Sequence, residues 1–221
     1  ITGFIPQTST PYSEFKQNLG KVVTIKGTIH NIRDMSDFAF ILIRTARELI
    51  QCVYSPEFSS YRLDESVVEQ ASARVSGKVV KSETRDGSER FELQIHNIEL
   101  LSKPAAIPPV VISKKQVTCE LSVNLDNRPV TLRNPKERAI FKIQEGIQRG
   151  FREYLQTQGF TEIHSPKINF AGAEGGTNVF KLDYFGKTVY LAQSPQLYKQ
   201  ALVPVYERVF EVAPVFRAEH H

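Results

Sequence analysis

From residue 22 the chain alternates: Val23, Ile25, Gly27 and Ile29 fall on one side of an extended backbone, and Val22, Thr24, Lys26 and Thr28 on the other. A period of two marks a strand with one buried face. Phe38 to Ile43 predicts a second strand and Leu49 to Tyr54 a third, with a short polar turn between them. Ser66 to Gln70 predicts a short helix. Ala73 to Val80 and Phe91 to Leu100 then pair around Arg85-Asp86-Gly87-Ser88, where Asp-Gly is a hairpin-turn signal. Pro104 to Pro109 is a proline-rich break that ends the sheet, followed by a polar connector to about Asn127. The period then changes. Asn134 is placed to cap a helix, Pro135 suits its first position, and Glu137 favours the positive end of its dipole. Ile140, Ile143, Ile147, Phe151 and Leu155 recur every three or four residues, which puts them on one helical face, and Gly159 stops the helix. Strands are expected at Lys181 to Asp183, Val189 to Ala192 and Val209 to Val215, with a helical turn over Leu197 to Gln200.

Five strands with a helical insertion between the third and fourth predict an OB-fold, a partly open barrel whose face binds oligonucleotides. The chain reads as mixed. Residues 1–20 form a lead-in, 21–103 an all-β OB-fold barrel, 104–133 a hinge, and 134–221 an α+β segment of antiparallel sheet with helices. With 221 residues, 41% of them apolar, both folded parts have material for a core. A net charge of +4 and a pI near 9.0 permit a polyanionic partner without requiring one. No apolar run approaches the roughly 20 residues of a membrane span. No signal peptide is visible, so a cytoplasmic protein is expected, and Ile1 in place of methionine leaves room for a preceding segment. Cys52 and Cys119 are far apart and predict reduced core thiols, not a disulfide frame.

Several residues carry candidate chemistry. Single-strand readers use aromatic faces for stacking and amide or guanidinium groups for base edges. Arg33, Phe40 and Gln51, on the first three strands, are of those types. Gly172, Gly175 and Gly176 surround Glu174, in either a plain surface turn or a lid that closes on a cationic group. Ser194 and Gln196 are compact polar groups suited to the ammonium or carboxyl end of an amino acid. Lys199 is a point charge for a side-chain carboxylate, which is costly to desolvate without a cation. Arg217, in Phe216-Arg217-Ala218-Glu219, has the planar fork that bridges two anionic oxygens.

The run YLAQSPQLYKQALVPVYERVFEVAPVFRAEHH, residues 190–221, resembles the amino-acid pocket and second signature motif of class II, subclass b aspartyl-tRNA synthetases of the eukaryotic and archaeal type. The likeness extends back to about residue 20. It implies that Phe40 stacks on an anticodon base and Gln51, eleven residues on, hydrogen-bonds another, beside Arg33. Asp34 and Met35 stand where that family usually places two glutamines, which extends the expected recognition from tRNA(Asp) to tRNA(Asn). Glu174 would meet the α-ammonium of L-aspartate from a flipping loop, with Ser194, Gln196, Lys199 and Arg217 around the same ligand. Arg217 would also grip the α-phosphate of ATP, and Glu219 would lie near the adenine amino group. Gly159 to Ile168 resembles the first signature motif, with Pro166 at a homodimer interface; His164 is given no role.

The reaction so implied is a two-step ligation with ATP and Mg²⁺, through aspartyl-adenylate to the 3′ end of tRNA. No metal ligand is expected within this chain. The rest of motif 2, the metal ligands and motif 3 are expected beyond His221, so the 221 residues alone are expected to be inactive. The alternatives are an asparaginyl or lysyl enzyme, disfavoured by Lys199, and a non-catalytic tRNA-binding protein derived from a synthetase, disfavoured by intact Glu174, Lys199 and Arg217.

Overall fold

The computed structural model describes residues 9–83, 87–170 and 178–219. The chain divides into two compact units, residues 1–137 and 138–221.

In the first unit, β1 (Val22–Asp34), β2 (Ala39–Arg44), β3 (Leu49–Tyr54), β4 (Ser72–Glu83) and β5 (Glu89–Ser102) form a closed barrel in the order β1-β2-β3-β5-β4. This is the expected OB-fold. Three strands are long, because β1 serves two neighbours: residues 22–28 pair with β4 and 28–34 with β2. The inward row contains Ile25, Ile29, Ile41, Ile43, Val75, Val79, Leu93 and Ile95, all fully buried. Phe15, from the 3₁₀ turns ahead of β1, joins them. Gly77 faces inward where β4 crosses β5; a Cβ there would lie 2.1 Å from the Gln94 carbonyl oxygen.

The helix expected over Ser66 to Gln70 does not form. Asp64 Oδ1 accepts the Ser66 amide at 2.8 Å, an Asx turn that competes with helix initiation, and Gln70 has φ +70°. The turn instead delivers Gln70 to a buried polar group, where Arg44 bonds both Gln70 Oε1 (3.1 Å) and His30 Nδ1 (2.9 Å). The connector also holds more structure than its polarity suggested, in α1 (Leu121–Asp126) and α2 (Arg128–Thr131). Both cysteines are free, but only Cys52 is a core thiol. Cys119 is exposed in the connector, where no core forms around it.

Asn134, fully buried, accepts the Lys136 amide on Oδ1 (2.9 Å) and so caps α3 (Pro135–Thr157). Its Nδ2 donates to the carbonyls of Ile112 (2.9 Å) and Lys114 (2.8 Å), which ties the cap to the connector. Gly159, at φ +79°, ends the helical path.

The second unit has a parallel pair, β6 (Thr161–Glu162) with β10 (Val209–Phe210), and an antiparallel sheet. That sheet orders β7 (Ile168–Asn169), β9 (Lys187–Leu191) and β8 (Lys181–Tyr184). α4 (Gln196–Tyr206) follows β9 and runs longer than the single turn expected. The strand expected over Val209 to Val215 stops after Phe210. Beyond that point Glu211 turns its side chain to a neighbouring loop, and Pro214 has no amide to give a ladder.

Candidate functional site

The barrel presents one row of candidates through its register. β1 carries an extra residue between Ile29 and Asn31, a bulge at His30. Before it the odd-numbered residues point inward; after it Ile32 turns toward the core, and Asn31 and Arg33 point outward. Arg33 then lies across from Phe40, and Phe40 from Val53, in one outward rank. Asn31, Leu42 and Gln51 form the next rank. The structure thus brings Arg33, Phe40 and Gln51 to one face.

That face has partners the sequence did not announce. Phe38 packs edge-on to Phe40, with centroids 5.2 Å apart and planes at 90°, which supports the ring from the side. Gln51 Nε2 donates to Glu92 Oε1 at 2.8 Å across the parallel β3–β5 pairing. Glu92 is largely buried, and its charge adds to burial in pushing up the Cys52 thiol behind it. Beside the face a cavity of about 470 Å³ is lined by Asp34, Phe38, Tyr54, Tyr61 and Arg62.

In the second unit, Ser194 and Gln196 sit where β9 gives way to α4, and the Gln196 amide donates to Ser194 Oγ (3.2 Å). Lys199 occupies the first turn of α4, its amide bonded to the Pro195 carbonyl (2.9 Å). Among the described residues its ammonium has no ion-pair partner within 4.0 Å. Arg217 and Glu219 are exposed and face each other at 3.8 Å. The Arg217 segment is tied back to the same neighbourhood, since the Phe216 amide donates to the Ala192 carbonyl (3.0 Å) and the Ala218 amide to that of Asn178 (3.3 Å). Gln193 Nε2 reaches the same Asn178 carbonyl (2.9 Å). Pro166 is exposed between Ser165 and Lys167. Glu174 and its glycine loop lie outside the described residues. Among the described residues no three His, Cys, Asp or Glu side chains converge on a point that could hold a metal ion, and no helix is long and apolar enough to cross a membrane.

Residues 120–221 match the family described as tRNA synthetases class II (D, K and N), and residues 23–101 match the OB-fold nucleic acid binding domain. The chain is 44% identical over 216 residues to an aspartate–tRNA(Asp/Asn) ligase from Deinococcus radiodurans, which covers 98% of this chain and 48% of that protein. It is 43% identical over 208 residues to the ligase of that name from Thermus thermophilus, covering 94% and 47%. The chain belongs to the class II tRNA synthetases.

Solved synthetases share the fold. An asparaginyl-tRNA synthetase from Pyrococcus horikoshii, complexed with asparaginyl-adenylate, superposes with a TM-score of 0.78 at 28% identity, over 92% of this chain and 46% of that one. An aspartyl-tRNA synthetase from Entamoeba histolytica gives 0.71 at 25% identity, over 96% and 47%. The chain spans about half the length of the curated relatives it matches. In this chain the OB-fold domain thus precedes class II elements, and the outward barrel face and the β9–α4 junction are its two candidate sites.

Proposed function

We propose that the protein carrying this sequence is an aspartate–tRNA ligase. It activates L-aspartate with ATP and passes the aspartyl group to the 3′ end of tRNA(Asp), and of tRNA(Asn) as well. The observation that carries the reading is Lys199: an ammonium on the first turn of α4, without an ion-pair partner among the described residues, close in sequence to Ser194 and Gln196. A side-chain carboxylate leaving water requires such a cation, whereas a neutral amide does not. This separates aspartate from asparagine as the substrate, although the fold is shared with asparaginyl enzymes. Wider tRNA use is supported by the name aspartate–tRNA(Asp/Asn) ligase on the relatives cited above, and by Asp34 beside Arg33.

In this reading Ser194 and Gln196 hold the amino-acid end of aspartate, Glu174 meets its ammonium, and Lys199 its side chain. Arg217 bridges the α-phosphate of ATP and the α-carboxylate that attacks it, and Glu219 lies toward adenine. No side chain acts as a nucleophile. The substrate carboxylate attacks phosphorus and pyrophosphate leaves. Arg217 meets charge growing on the α-phosphate, so the rate comes from positioning and from fixed cations. Magnesium would neutralise phosphate charge when bound, and the described residues offer it no ligand set. Arg33, Phe40 and Gln51 bind the anticodon, with the cavity beside Phe38 giving a splayed base room. The protein works in the cytoplasm as a homodimer that buries the apolar face of α3 near Pro166; Ile140, Ile143, Ile147 and Phe151 are each at least half exposed.

The test is amino-acid-dependent ATP–pyrophosphate exchange by the full-length protein, with aspartate, asparagine and lysine compared. Exchange with aspartate alone, abolished by Lys199→Ala, is expected. A folded protein that binds tRNA yet exchanges with none of the three would instead be a non-catalytic RNA-binding relative.

A further inference from the structure

Glu211 carries a carboxylate whose side chain is only 1% exposed, yet nothing in the proposed chemistry uses it. Its two oxygens take three bonds: Oε1 from the Ser165 amide (2.8 Å) and Lys167 Nζ (2.8 Å), and Oε2 from Ser165 Oγ (2.8 Å). Lys167 Nζ also reaches Ser165 Oγ (3.0 Å), which closes the group. A buried ion pair is a poor stabiliser compared with apolar residues of equal volume, so its value lies in fixing one arrangement.

What it fixes follows from the backbone. The Lys167 carbonyl accepts the Ala192 amide (2.9 Å), and the Ala192 carbonyl accepts the Phe216 amide (3.0 Å). Ala192 directly follows β9 and leads into Ser194 and Gln196; Phe216 precedes Arg217. Lys167 therefore holds the amino-acid pocket through its main chain and the Arg217 segment through its side chain. Past Phe210 that segment has no sheet partner among the described residues, so it depends on such point anchors.

We propose that Ser165, Lys167 and Glu211 form a clamp that sets the position of Arg217 relative to the pocket at Ser194, Gln196 and Lys199. They are positioning residues for the activation step, and the assignment rests on the ligase reading above. An arginine displaced by even an ångström from the attacked phosphate costs rate more than binding, because the lost term is alignment.

The experiment uses the full-length protein with Lys167→Met and Glu211→Gln combined, which removes both charges and keeps the bulk. In aspartate-dependent ATP–pyrophosphate exchange, kcat should fall by about tenfold or more while KM for aspartate and ATP stays within about threefold. Lys167→Arg, which keeps the ion pair, should retain most of kcat. A folded double variant with wild-type kcat overturns the proposal. If the double variant does not fold, Ser165→Ala carries the test: it deletes the Oγ bonds to Glu211 and from Lys167, kcat should fall severalfold at unchanged KM, and an unchanged kcat overturns the clamp. If the wild-type protein exchanges with no amino acid, the ligase reading fails by itself. The clamp is then judged by amide hydrogen exchange at Ala192 and Phe216, which should quicken in the double variant; equal protection overturns it.

Discussion

Under the proposed anticodon role, Gln51 shows how one bond can prepare a side chain for recognition. With Nε2 committed to Glu92, the amide cannot swing freely, and Oε1 is the end left to accept from a base edge. Phe40 is prepared differently, by an edge contact from Phe38 that leaves its ring available for stacking. Stacking of a base on an aromatic ring is worth about 1–3 kcal/mol. Phe40→Ala should therefore raise the KM for tRNA in aminoacylation by about five- to 150-fold, with ATP–pyrophosphate exchange unchanged. Equal loss in both assays would remove Phe40 from the anticodon site. Glu211 makes a prediction about pH. Burial alone would raise its carboxyl, but the bonds from Lys167 and Ser165 outweigh that and hold it below the ordinary range. The charged form is favoured in the folded state, so its contribution is complete above the unfolded value of about 4.3 and is lost as pH falls through the lower folded value. In urea titrations at pH 7 and near pH 3.5, wild type should lose more stability between the two than Glu211→Gln does. Equal losses would show that the clamp carboxylate does not titrate with folding.

Among elements, α3 is the one whose sequence pattern and surroundings disagree. A 3.6-residue stripe of Ile140, Ile143, Ile147 and Phe151 is the signature of a buried face, yet each is at least half exposed. Phe151 alone of these meets a ring, the edge of Phe210 at 6.1 Å. Under the proposed homodimer, Ile147→Asp at the middle of the stripe should shift the protein to monomer in sedimentation velocity, with its helical content kept. A variant that still sediments as a dimer would exonerate this face. The helix itself was legible because cap, stripe and stop all act within a few residues of each other. The barrel was legible for the same reason, each strand carrying its own alternation. What escaped reading was non-local. Glu92 lies 41 residues from Gln51, and Glu211 lies 44 from Lys167, so no local pattern announces either pair. The helix expected at Ser66 to Gln70 gives way to a turn because the Asp64 side chain, not the backbone, decides the path there. Arg33, Phe40 and Gln51 were legible as candidates by residue type; that they share a face depends on the bulge at His30, which alternation alone conceals.

For the molecule as a whole, the two units divide the proposed work, one facing polynucleotide and the other small substrates. A net charge of +4 is modest, so charge should govern tRNA capture more than aspartate activation. The logarithm of tRNA affinity should fall linearly with the logarithm of salt concentration, while exchange changes little over the same range. A salt-independent affinity would mean that phosphate contacts contribute nothing. The bulge in β1 also sets a rule for how this protein can change. It acts as a phase shift in a two-step alternation, so the residues beyond it are assigned to inside or outside by counting rather than by chemistry. Point substitutions after His30 alter one group at a time and leave the count intact. With the bulge kept, a single-residue deletion there would turn Arg33 inward and Ile32 outward in the same event, exchanging lining for surface; with the bulge lost, His30 would leave its place beside Arg44. Variation on this proposed nucleic-acid face should therefore proceed by replacement at constant length: the strand is free in its letters and fixed in its metre.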